Sequence, residues 1–258
     1  KKKESIMSKK MTEQYSNQNL INLAKQQYQE KQTQNIPSEI IKLTSGGIVY
    51  PKDHILRSGQ IEMRYMTAYD EDILTNPSYI NEGVVLDKLI DTLIVSDVKF
   101  EELALIDKDG LILSARMLSY GTTYPVEITD PKTNKKLNRD IDLSKIKSKT
   151  STLISDDNGE FTYKFNDNTL KWIFPKVKDT FNSISEFLLL IITEINGTRN
   201  KTEIENFIRY KFLITESKKF QKYITDNTPS TLLEYEFEGE DGSTFTAGFP
   251  IGPDFFWP

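Results

Sequence analysis

The chain has 258 residues, 37% hydrophobic and 28% charged, with a formal net charge of −5, no cysteine and a single histidine, His54. That composition supports a folded chain with a substantial core and gives no basic excess for a phosphate backbone, so nucleic acid is not expected as a partner. Disulfides, thiolate chemistry and zinc–thiolate sites are excluded, as is any metal site needing two histidines from one chain.

Residues 1–35 are rich in Gln, Asn and Lys, and form a polar N-terminal arm. Leu20, Leu23, Ala24 and Gln27 give a weak helical stripe within Asn17–Gln32, the kind of face a partner covers. The basic start, Lys1-Lys2-Lys3, is followed by no apolar signal core, and no run of about 18 apolar residues occurs, so no stable membrane insertion is expected.

A domain is expected over residues 36–258, with a β-rich insertion over 144–182. From Ile36 to Arg64, Pro37, Gly46, Gly47, Pro51 and Gly59 punctuate short strands, and Ile61, Met63 and Tyr65 alternate as one half-buried strand. Thr67 caps a helix with Asp70, Glu71 and Asp72 in its first turn, and Asn76-Pro77 stops it. A second helix spans Val84 to Ile94, with Val85, Leu86, Leu89, Ile90 and Leu93 on one face. A third covers Gly110–Tyr120, capped by Asp107 or Asp109 and closed by Gly121. Thr122–Thr129 and Lys136–Leu143 form a hairpin across Asp130-Pro131.

Phe161, Tyr163 and Phe165 share one face of a strand, and Leu170, Trp172 and Phe174 repeat the pattern in its return. Ser183 and Glu186 read as a capping box opening an apolar helix that ends at Gly197. Thr202 and Glu205 read as another, opening a helix through Ile214, which continues over Thr215–Ile224 after a bend. Leu233, Tyr235 and Phe237 alternate, turn at Gly239–Gly242, and return as Phe245, Ala247, Phe249 and Ile251. The fold class is therefore α+β: antiparallel hairpins with several short-to-medium helices and no regular βαβ alternation.

Few residues of the chain suggest chemistry. His54 beside Asp53 is a general base on paper, but adjacent side chains in an extended chain point apart, and a loop histidine is the simpler reading. Asp107 and Asp109 are read as helix-start residues, and Glu101 and Glu102 as a solvated face. Asp107-Lys108-Asp109-Gly110 fails as a calcium loop, because its twelfth position is Leu118. Arg116 suggests a buried pair with a carboxylate of the 67–75 helix. No cofactor is expected. Phe255, Phe256 and Trp257, with Leu20 and Leu23, are the candidate partner-binding residues, as aromatic anchors often are.

The order of motifs carries a resemblance. Pro37-Ser38, Gly47, Tyr50-Pro51, Ile61, Met63, Met66 and Thr67 come first. Ala115-Arg116-Met117-Leu118-Ser119-Tyr120-Gly121 and the hairpin Tyr124–Asp142 follow, and Phe249-Pro250-Ile251 with Phe255-Phe256-Trp257-Pro258 close the chain. Together they resemble the baseplate hub subunit family of T-even-type contractile-tailed phages. Members often carry a Cys-x-x-Cys knuckle at the hairpin turn. Here Thr129–Asn134 holds none, which puts a zinc role out of reach. The resemblance implies a non-enzymatic structural subunit of the virion tail baseplate, assembled in the host cytoplasm and present in multiple copies. Its implied partners are other baseplate and tail proteins, whether hub, spike or tape-measure components. The alternatives are an assembly chaperone absent from the mature virion and, more remotely, a cell-wall hydrolase with paired carboxylates.

Overall fold

The structure is a computed structural model and describes residues 36–257; the expected arm over 1–35 and its Asn17–Gln32 stripe lie outside the described residues. β1 (Ser38–Lys42) and β2 (Gln60–Arg64) form a two-stranded sheet in which the alternation of β2 sends Ile61 and Met63 into the core. The loop between them closes on itself at Gly47 (φ +84°), where a Cβ would stand 2.5 Å from the Arg57 carbonyl oxygen. Only glycine fits both that torsion and that approach.

Thr67 and Asp70 form a capping box: the Thr67 N–H and hydroxyl donate to Asp70 Oδ2 at 2.7 and 3.0 Å. A 3₁₀ turn leads from it into α1 (Glu71–Leu74). Asn76-Pro77 ends that helix as expected, but it also starts another. Asn76 Oδ1 accepts from the Ser78 and Tyr79 amides, and Pro77 fills the first helical position, where no N–H is needed. The result is α2 (Pro77–Glu82), followed by α3 (Val85–Leu93), with Val85, Leu89, Ile90 and Leu93 buried. α4 (Lys108–Tyr120) and the hairpin β3 (Thr123–Thr129) with β4 (Lys136–Asp142) lie where the sequence places them.

β5 (Ser148–Lys149) pairs antiparallel with the later β9 (Ser230–Thr231). β6 (Phe161–Phe165) and β7 (Asn168–Trp172) form the expected hairpin. α5 (Ile184–Ile191) opens at Ser183, whose Oγ accepts from the Glu186 amide at 3.2 Å. It stops short of Gly197. The β-branched run from Ile191 favours strand, and the chain becomes β8 (Ile192–Ile195), which pairs with the open edge of β7.

α6 (Lys201–Tyr210) is capped by Asn200, not Thr202; Asn200 Oδ1 accepts from the Thr202 and Glu203 amides. It ends four residues before Ile214, which instead begins α7 (Ile214–Asn227). β10 (Glu234–Glu238) and β11 (Thr244–Gly248) form the last hairpin, and Pro253–Phe256 is a 3₁₀ turn.

These elements enclose two hydrophobic cores, and the α+β class is the one the sequence implies. The first core gathers β2, α1, α3, α4, both flanking hairpins and the C-terminal aromatics. The second is the β6–β7–β8 sheet covered by α5, α6 and α7. Trp172 sits at its centre, with the rings of Phe161, Phe174 and Phe220 at 5.0, 4.9 and 5.9 Å. Val49 and Ile106 pack against both cores.

Candidate assembly surface

Of the residues the sequence nominates for partner contact, Leu20 and Leu23 lie outside the described residues. Phe255 and Phe256 are buried in the first core of their own chain. The Phe255 ring meets Tyr124 edge-on at 4.8 Å and Phe256 at 5.8 Å. Its backbone carbonyl accepts from Arg116 Nε at 2.9 Å. The 3₁₀ turn after Gly252 brings the tail back against α4 and the Tyr124 ring of β3, so both rings face inward. Trp257 alone keeps a surface a neighbour can touch, at 38% exposure.

Arg116 departs from its expected pairing. It is fully buried, and among the described residues no carboxylate forms an ion pair with it. The faces of Tyr120 and Tyr124 hold its guanidinium, with centroids 4.6 and 5.7 Å away, together with the Phe255 carbonyl. Among the carboxylates of the 67–75 segment expected to meet it, Asp70 is taken by Arg64 in a two-pronged pair with both contacts at 2.8 Å.

Asp107 occupies the N-cap position of α4, as expected, but its side chain makes no capping hydrogen bond there. Its carboxylate points inward and accepts from the Ser45 N–H (2.7 Å), the Ser45 hydroxyl (2.9 Å) and the Tyr50 hydroxyl (2.7 Å). Tyr50 in turn accepts from the Ala104 amide at 3.0 Å. Burial pushes both the Asp107 carboxyl and the Tyr50 hydroxyl above their ordinary values. This buried node ties the loop before β2 to the start of α4.

His54 sits at its rim, with its ring stacked on Tyr50 at 5.2 Å and Nδ1 accepting from the Leu56 amide at 3.2 Å. Burial, with the Lys176 charge nearby, lowers its pKa. Its acceptor nitrogen is thus spent on capping a turn. Among the described residues no group of three or more His, Asp and Glu is placed to hold a metal ion.

What the fold offers outward is hairpin surface. The tips of β3–β4 and β10–β11 are joined by Lys132–Asp241 (3.0 Å) and Lys135–Glu240 (2.7 Å). On the outer face of β10, Glu234, Glu236 and Glu238 lie opposite Gly248, Thr246 and Thr244, all exposed. An open groove of about 350 Å³ beside them is lined by Lys145, Lys147, Glu234, Tyr235, Glu236 and Thr246. Such broad, polar, solvent-open relief suits contact with another protein better than enclosure of a small molecule.

The model of a family described as T4 bacteriophage base plate protein matches residues 48–238, from the loop before β2 to the end of β10. No curated protein and no solved structure matches the chain.

Proposed function

Since the chain belongs to the T4 bacteriophage base plate protein family, we propose that it is a structural subunit of the baseplate hub of a contractile phage tail. In this reading it acts by binding other baseplate and tail proteins, in more than one copy, and performs no catalysis of its own. The family match carries the proposal, because residues 48–238 include most of both cores and every α-helix among the described residues. The assignment to the hub draws further support from the order of sequence motifs at 36–67, 109–142 and 249–258. The non-catalytic reading is supported by the commitment of His54 to a turn and of Asp107 to a buried structural node.

Quantitative mass spectrometry of purified tails, with a cryo-EM map of the baseplate, tests this. Peptides in fixed stoichiometry with central baseplate proteins are expected. Peptides present during assembly and missing from mature particles would instead assign an assembly chaperone. A cleared zone on a zymogram of host peptidoglycan would overturn the non-catalytic reading.

A further inference from the structure

The corner between α6 and α7 exposes side chains that neither solvent nor helix chemistry favours. Tyr210, Leu213 and Ile214 lie within five residues of chain and are 72%, 66% and 64% exposed. Between them Phe212 turns inward, its ring 5.3 Å from Phe165 and 5.5 Å from Phe207. Its amide and that of Lys211 both donate to the Phe207 carbonyl, at 2.8 and 2.9 Å. That anchor fixes the elbow and leaves the three flanking side chains pointing out.

Leu213 is also the N-cap of α7, with extended backbone (φ −60°, ψ 148°) and no side-chain hydrogen bond to the helix. Ser, Thr, Asp and Asn are preferred there because they satisfy a free amide. An apolar side chain at this place loses the cap and is also exposed to water. Exposed apolar clusters of this kind mark contact sites.

The charge around the cluster says what covers it. Residues 209–219 carry four cations (Arg209, Lys211, Lys218 and Lys219) and one carboxylate, Glu216, on a chain whose net charge is −5. Arg209 is paired with Glu205 and Lys219 with Glu216. Lys211 and Lys218 are exposed, with no ion pair to a described carboxylate. We propose that this elbow docks an amphipathic segment of another baseplate protein, one whose apolar face is bordered by Asp and Glu. The proposal rests on the baseplate reading above and names the chemistry of one partner surface.

The test uses the full chain and a labelled synthetic helix with leucines along one face and glutamates on both borders, beside a counterpart carrying lysines instead. Fluorescence anisotropy should show the acidic peptide binding at least about tenfold more tightly than the basic one, with affinity falling as salt rises. K211E/K218E should lose about tenfold or more. L213S should also bind more weakly while folding at least as well, so its loss does not report misfolding. Equal binding of both peptides, or none, would overturn the proposal. Concentration-dependent dimers in light scattering that L213S abolishes would assign the elbow to a second copy, and so overturn the chosen partner.

In phage tails, a photo-crosslinking residue at position 210 should capture another baseplate protein through an acidic segment. No crosslink from a chain that is present in tails would overturn the elbow. Absence of the unmodified chain from tails would count against the hub reading and leave the peptide result to be judged by itself.

Discussion

At the scale of single residues, three buried charged groups each solve burial differently. Asp70 has an oppositely charged partner. Burial alone would raise its carboxyl, but the hydrogen bonds from Arg64, the Thr67 amide and the Thr67 hydroxyl hold it below the usual carboxylate range. A depressed carboxyl contributes stability that is complete above the unfolded-chain value of about 3.9 and is lost as pH falls through the lower folded value. D70N should therefore flatten the acid limb of the stability–pH curve below about pH 4, as read from urea midpoints at a series of pH values. An acid limb unchanged in D70N would mean that other carboxylates govern it. Asp107 has no cation and relies on three donors. D107A strands the Ser45 and Tyr50 donors in the interior and should cost about 3 kcal/mol in urea unfolding. Arg116 uses aromatic faces and a carbonyl, a solution open to a planar guanidinium and poorly matched by lysine.

At the scale of elements, the ends of helices decide more than their middles. Asn76-Pro77 and Asn200 each start a helix through an asparagine cap, whereas α7 begins on Leu213 without a polar cap. Because Leu213 is exposed and already extended, L213S should add a cap without removing packing. Thermal melts are expected to show α7 and the whole chain stabilised by about 0.5–2 kcal/mol. A destabilised L213S would show that the leucine packs within its own chain and would remove the case for the elbow as a docking surface. The sheet of the second core makes a related point. β8 forms because β7 has an open edge and Ile191-Ile192-Thr193 suits it, so the same apolar run serves as helix up to Ile191 and strand afterwards.

At the scale of the whole molecule, the C-terminal aromatics close the first core across a long span of sequence. Phe255 and Phe256 pack with α4 and the β3–β4 and β10–β11 hairpins, and Arg116 holds the Phe255 carbonyl. Deleting Asp254–Pro258 removes two fully buried rings and leaves Arg116 without that acceptor. Burial of the two rings alone is worth about 3–6 kcal/mol, so the shortened chain should show a clearly lower urea midpoint. Unchanged stability would mean that the tail leaves the core in solution and is free to act elsewhere. W257A, by contrast, should shift the midpoint by about 1 kcal/mol or less, because its side chain keeps a solvent-facing surface.

By itself the sequence determined the α+β class, the three hairpins found at 123–142, 161–172 and 234–248, and the amphipathic helices read over Val84–Ile94 and Gly110–Tyr120. Each is written in local periodicity and turn chemistry, which act over a few residues. The baseplate family was also legible, through the order of motifs. Only the tertiary structure decided the partners of Asp107 and Arg116, the conversion of 192–195 from helix to strand, and the inward turn of Phe255 and Phe256. These depend on groups tens to more than a hundred residues away: Asp107 meets Ser45, Arg116 meets Phe255, and Ile195 meets Leu170. A carboxylate at a helix start, an arginine on an apolar helix and an aromatic tail each have a good local reading. Which reading holds depends on whether folding brings a donor, a ring or an open sheet edge within bonding distance, and no local pattern encodes that distance.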